Sequence, residues 1–565
     1  MKFNEFKYAR PDFEEMKAKL TALVSDFKNA ASAKEQLEIF DEINMLRRHA
    51  DTMANLASTR HSIDTRDEFY DAENTYWDEA GPLYEELNAA IYEAILNSAF
   101  RDELEAKLGT QFFKLAEYSL KSFSPEIISD LQEENRLASD YDKLIASAKI
   151  MFDGEERTLA GMGKYMQDKD QNVREAAWTA RIAFFEEHEE KLDDIYDQLV
   201  SVRTKIAKKL GFNNFVELGY VRMNRTDYTP EMVANFRSQV KEFIVPVASE
   251  IYELQRKRLG YDKLRYFDLN FKFQSGNATP KGDPDFILEQ GIKMYDELSP
   301  ETKEFFNLMM DKDLLDVLNK PGKQGGGYCT EFTEFAVPFI FANFNGTSGD
   351  IDVLTHEVGH AFQSYESRHL SIPELTFPTY DSCEIHSMSM EFFCWPWMEN
   401  FFKEDTEKYK YTHLAGAITF IPYGVAVDEF QHFIYANPTA TKTQRKSEWR
   451  RLEKQYLPFR NFDGADYLER GGWWHQQGHI FSTPFYYIDY TLAQICALQF
   501  WKNMHEDQEA AWHDYVKLCK VGGTKSFTEL VAYGNLKSPF ADGCVESVIS
   551  EIAAWLKEAA KQLPS

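Results

Sequence analysis

Apolar residues recur every three to four positions through most of the first ~300 residues, as in Phe13, Met16, Leu20, Leu23 and Phe27, which share one helical face. This pattern predicts helix-bundle architecture. Breaks at Ser122 to Pro125, at Gly154, at Gly161 to Gly163 and at Gly211 punctuate it, with no fixed-period repeat and no low-complexity linker. Near residue 321 the rhythm changes. A glycine-rich loop from Pro321 to Tyr328 precedes the stretch from Glu334 to Asn343, whose aromatic and β-branched content predicts a strand. Pro338 cannot donate to a central ladder, so this strand is expected at a sheet edge, open to strand addition by an extended peptide or simply packed in a small sheet. After a turn over Asn345 to Asp350, with Thr347 or Ser348 available as N-cap, a helix begins. Ile351, Leu354, Val358, Ala361, Phe362 and Tyr365 form its buried stripe and leave His356 and His360 on a separate face.

With 565 residues the chain exceeds one ordinary core, and either two substructures or one elongated helical body with a cleft is expected. We divide it into an N-terminal helical region, 1–190, and a region carrying the candidate chemistry, 191–565. A formal net charge of −29 argues against nucleic acid as a partner. No apolar run approaches the roughly 20 residues of a membrane span, so no membrane association is expected. The opening MKFNEFKYARPDFEEMK has no signal-peptide core. All six cysteines lie in the second half without a CxxC pair, which suits reduced thiols and a cytoplasmic location better than disulfides or a cysteine zinc site. Oligomeric state is not legible.

The chemistry concentrates at His356-Glu357-Val358-Gly359-His360. Histidines four apart on a helix place their β-carbons about 5–6 Å apart, as two ligands of one tetrahedral zinc require. Glu357 beside them is placed to take a proton from water that the cation has made acidic. A catalytic zinc usually has a third protein ligand. The metzincin pattern fails, because Gln363 and Glu366 stand where it needs glycine and histidine. The next candidate is Glu384, in a predicted helix after Pro378 that sets Glu384 and Glu391 on one face. A capping role for Glu384, three residues past Asp381, fits the same pattern. His386 and Glu391 are candidates for orienting the ligands, or ordinary buried polar groups.

A third cluster, from Gly471 to Tyr490, is rich in hydrogen-bond donors. Tyr487 and Tyr490 share a helix face, either as donors to an oxyanion or as core aromatics. Together, HEVGH, EIHSMSME and HIFSTPFYYIDY resemble the M3 family of zinc oligopeptidases, in particular its oligoendopeptidase F and Pz-peptidase branch. Weaker similarity in SIDTRDEFYDAE, DKLRYFDL and GTSGDIDVLTHEVGHAFQ extends the match over almost the whole chain.

The resemblance implies a mainly α, elongated helical body with a deep substrate channel and a small β-sheet near the zinc helix. It implies one Zn2+ per chain, held by His356, His360 and Glu384, with Glu357 as general base. His479, Tyr487 and Tyr490 then match substrate and oxyanion contacts, and Gly326, Gly327 and Tyr328 match a peptide-contacting loop. Tyr486 stays in play, because Ser482 to Phe485 replaces the longer glycine-rich loop of thimet-type relatives. The implied activity is hydrolysis of internal bonds in short peptides, collagen-like or proline-containing ones among them. A peptidyl-dipeptidase of the same fold and a catalytically silent peptide-binding protein are the alternatives.

Overall fold

A computed structural model of the protein describes residues 1–563. The stripe read from Phe13 becomes the helix Phe13–Asn29, which buries Met16, Leu20, Val24 and Phe27, while the Asp12 carboxylate caps it by accepting from Glu15 N at 3.0 Å. Helices Ala33–Ile63 and Glu68–Leu96, capped in the same way by Ser32 and Asp67, pack with it around Phe40, Ile43, Ile91, Ile95, Phe112 and Phe113. A second, larger core gathers apolar residues from Phe6 to Leu556. Among the described residues, 71% are helical and strands form only two small sheets, so the fold is mainly α as expected. Among the described residues no helix is long and apolar enough to cross a membrane.

The first sheet interrupts the helical half. Strands β1 (Ile150–Phe152) and β2 (Glu155–Arg157) form a hairpin across Asp153-Gly154, both with positive φ, 52° and 75°. The second sheet consists of β3 (Leu315–Leu318), β4 (Tyr328–Phe332) and β5 (Val337–Phe344), in the order β3-β5-β4. The strand assigned to an edge because of Pro338 is therefore the central one. Proline is tolerated there because the parallel ladder to β3 starts only at Ile340, and Pro338 pairs on one side alone, with Glu331 of β4. The edge strand that flanks the site is β4.

From β5 the chain turns through Asn345 and Gly346, whose amides donate to the Asp350 carboxylate at 2.8 Å each. Ser348 occupies the N-cap of the histidine helix, Gly349–Ser367, but its side chain makes no cap bond. The acidic helix, Tyr380–Phe393, is buried on nearly every face. It lies between the histidine helix and the tyrosine helix, Tyr487–Glu506. A fourth helix, Thr406–Ala436, packs along the tyrosine helix. Gly359 sets the closest spacing. A β-carbon there would lie 2.6 Å from Ser387 Cα and 2.7 Å from the His386 carbonyl oxygen, so its absence lets the two helices touch backbone to backbone.

Candidate metal centre

Close approach of those helices brings three side chains to one point. His356 Nε2 lies 3.2 Å and His360 Nε2 3.3 Å from Glu384 Oε2, and all three groups offer ligand atoms within 4.8 Å of one another. The Glu384 side chain is 1% exposed. It caps nothing, since its oxygens go to the imidazoles, to Ser387 Oγ at 2.7 Å and to the Tyr486 hydroxyl. The acid at the helix start is Asp381, which accepts from Thr379 Oγ1 and from Tyr228. Burial opposes ionisation of Glu384, and His360 and His356 overcome it, holding the carboxyl well below its ordinary range. Two imidazole nitrogens and a carboxylate oxygen converging in a buried site suit a divalent cation.

Glu391, two turns after Glu384, also reaches this cluster, with Oε1 2.7 Å from His356 Nδ1. His386 does not. Its Nδ1 faces Cys519 Sγ at 3.6 Å, and burial pushes the ring down to about 3. Glu357 is 5% exposed, and its Oε2 has no protein partner. Burial raises its carboxyl. A β-carbon at Gly327 would come within 3.3 Å of Glu357 Oε1, so glycine brings the loop backbone against this carboxylate.

A cavity of about 520 Å³ opens beside the cluster. One wall is Gly327 and the β4 residues Tyr328 to Glu331, and the facing wall is His479, Tyr486 and Tyr490. Tyr487 lies outside this lining, with its ring edge-on to Phe420 and Tyr423. Gly326 shapes the loop, its carbonyl accepting from Asn343 Nδ2 at 2.8 Å with φ at 90°. Burial lowers the His479 imidazole to about 4, which keeps it neutral. The Tyr423 hydroxyl donates to Gln477 Oε1 at 2.9 Å, which leaves Gln477 Nε2 to donate to His479 Nδ1 at 2.8 Å. The ring proton therefore sits on Nε2, 3.2 Å from the Tyr490 hydroxyl.

Sequence reading missed Gln477, Ser387, Tyr380 and the β4 residues Cys329 to Glu331. Ser387 lies inside EIHSMSME and Gln477 inside the cluster from Gly471 to Tyr490, but nothing in their spacing marks a role. Only the glycine-rich run before Tyr328 pointed towards that wall.

A buried two-imidazole, one-carboxylate cluster, flanked by a free carboxylate and open to a peptide-sized cleft, defines a metallopeptidase. Residues 164–548 match the model for Peptidase family M3 and residues 3–123 that for the Peptidase M3 N-terminal domain, and the chain belongs to this family. An oligoendopeptidase F homologue of Borreliella burgdorferi is 24% identical over 70% of this chain and 69% of its own length. Among solved structures, Pz peptidase A with an inhibitor is 57% identical over 99% of both chains, with a TM-score of 0.98. A putative oligoendopeptidase F from Bacillus anthracis is 55% identical over 99% of this chain and 98% of its own, with a TM-score of 0.93.

Proposed function

We propose that the protein is a zinc-dependent oligoendopeptidase that cleaves internal bonds of short peptides, with one Zn2+ per chain held by His356, His360 and Glu384. The convergence of these three side chains carries the reading. The names of the oligoendopeptidase F relatives support the substrate class. Six unpaired thiols support a cytoplasmic location.

When bound, the cation supplies Lewis acidity that makes water a nucleophile near neutral pH and polarises the scissile carbonyl. Glu357 takes the proton of the attacking water and delivers it to the leaving amine nitrogen. Its raised carboxyl lowers the cost of holding that proton in between. The Nε2–H of His479 and the hydroxyl of Tyr490, both on the cleft wall, donate to the oxyanion as the carbonyl becomes tetrahedral. Tyr486 orients Glu384, and Tyr487 packs against the His479 ring, with centroids 4.9 Å apart. Across the cleft, Gly327, Tyr328 and the β4 edge line up an extended peptide backbone by strand addition.

The test is zinc quantification paired with mass-spectrometric mapping of cuts in a mixed pool of free and end-blocked peptides. We expect one zinc per chain and internal cuts in blocked peptides. Glu357→Gln should keep zinc and lose about 100- to 10,000-fold in turnover. Near-normal cleavage by that variant, or cleavage by zinc-free protein, would defeat the proposal. Release of C-terminal dipeptides alone would make the enzyme a peptidyl-dipeptidase.

A further inference from the structure

Glu391 spans two imidazoles. Its Oε1 lies 2.7 Å from His356 Nδ1, and its Oε2 lies 2.7 Å from Nε2 of His413, a residue on the helix Thr406–Ala436 that belongs to none of the motifs. The other nitrogen of His413, Nδ1, faces the indole Nε1 of Trp395 at 3.1 Å. An indole N–H can only donate.

That asymmetry fixes the His413 tautomer, and the Glu391 carboxyl, held ionised below its ordinary range, can only accept from the rings on either side. His413 Nδ1 accepts, so its proton sits on Nε2 and is donated to Glu391. With Oε2 so engaged, Glu391 Oε1 accepts from the Nδ1–H of His356, and the lone pair of His356 is left on Nε2, which faces Glu384 at 3.2 Å. We propose that Trp395 and His413 are positioning residues of the metal centre. Acting through Glu391, they fix His356 in the tautomer and ring orientation that present Nε2 as a ligand. The inference rests on the reading of His356 as a metal ligand.

The His413 ring is packed on both sides. Phe392 meets the ring edge-on at 5.0 Å, and Tyr409 stacks on it at 5.6 Å and 19° while donating its own hydroxyl to Asp352 at 2.7 Å. Burial opposes charge on His413, but Glu391 and Asp352 outweigh it and raise the imidazole, so it is the Trp395 indole N–H, and not the surrounding charge, that holds Nδ1 unprotonated. A second ring proton would point at the indole N–H, so the hydrogen bonds admit the neutral ring.

The experiment measures the zinc dissociation constant of the full chain by competition with a chromogenic chelator, alongside the thermal midpoint of the zinc-free protein. His413→Leu removes the donor to Glu391 and is expected to weaken zinc binding about 10-fold or more, with the Glu391 carboxylate left half-satisfied. His413→Gln keeps an N–H for Glu391 and should recover binding to within about threefold of wild type, a rescue that a mere packing role would not produce. Trp395→Phe keeps an aromatic ring but loses the N–H together with part of the buried indole volume, so the zinc-free midpoint should fall while zinc binding weakens about 3- to 10-fold, beyond what Trp501→Phe, a size-matched change beside it, produces. Equal losses in the leucine and glutamine variants, or a loss in Trp395→Phe no larger than in Trp501→Phe, overturn the proposal. The Trp395→Phe comparison decides alone if His413→Leu does not fold. Wild-type affinity in His356→Ala would instead sink the metal-centre reading itself, and this inference with it.

Discussion

Replacing Gly359 with alanine tests whether close backbone contact between the histidine and acidic helices is what assembles the site. The new β-carbon would lie 2.6 Å from Ser387 Cα, 2.7 Å from the His386 carbonyl and 3.0 Å from Met390 Cβ. Two of these are backbone atoms, which cannot swing aside as a flexible side-chain tip can. Ordinary contact begins near 3.4 Å, so the helices must part by about 0.8 Å. On stability alone the effects partly cancel, since alanine favours a helix by about 1 kcal/mol over glycine and overpacking costs about 1–3 kcal/mol. The net loss is at most about 2 kcal/mol, which leaves a folded chain. The metal centre has far less tolerance. Bonds of about 2 Å are held within about 0.2 Å, several times less than the required displacement. We therefore expect zinc affinity to fall at least about tenfold in a protein that still unfolds cooperatively. Chelator competition and calorimetry of zinc-free and zinc-loaded protein measure both quantities. A variant that binds zinc normally and melts higher, as helix propensity alone dictates, would refute the reasoning.

Tyr490→Phe should lower kcat by an amount equivalent to roughly 2–4 kcal/mol, and Tyr487→Phe by less than about threefold. Equal losses in steady-state cleavage of a quenched fluorescent peptide would contradict the cleft geometry. Gln477→Leu removes the donor to His479 Nδ1 and should lower kcat about tenfold while leaving KM within about twofold; nitrogen-15 spectra of the histidine ring report the tautomer directly, and an unchanged spectrum counts against the relay. Behind the His479 segment, whose Ile480 and Phe481 carbonyls accept from Arg203, burial opposes ionisation of Glu134, but Arg222 and Arg203 set its carboxyl at about 2 against an ordinary 4.5. A depressed carboxyl contributes stability that is complete above about pH 5 and lost as pH falls through 4.5 towards 2, about 3 kcal/mol in all. Glu134→Gln should accordingly melt lower at pH 7 yet lose less between pH 5 and pH 3 than wild type, and parallel losses in the two proteins would exclude this pair as a source of acid sensitivity.

Periodicity carries far along this chain. The stripe from Phe13 to Phe27 marks a helix that buries one face, and the one from Ile351 to Tyr365 marks a helix that the structure buries on nearly every side. The histidine pair is equally legible, since four residues on a helix fix a distance. Glu384 is less so, because a carboxylate early in a helix has two uses and only tertiary packing decides between them. Pro338 misleads for a related reason. Proline forbids one ladder bond, but whether a partner strand reaches that far depends on how short the partner is, and β3 begins pairing only at Ile340. Adjacent tyrosines differ by 100° around a helix, and Tyr486, whose backbone is already helical at the N-cap, shares a face with Tyr490 four residues on, so these two line the cleft and Tyr487 does not. His413 leaves no trace in spacing, because it meets Glu391 from a different helix, and Trp395, just past the acidic helix, reaches the site only through His413.

The carboxylate of Glu384 is held by Ser387 and Tyr486, His356 by Glu391, and the two helices by a close-packed core, so protein groups support the ligands from behind. Small domains nucleated by zinc fall apart when it is withdrawn. We therefore expect protein stripped of its cation by a chelator to keep its helical circular dichroism and to regain peptide cleavage when zinc is restored.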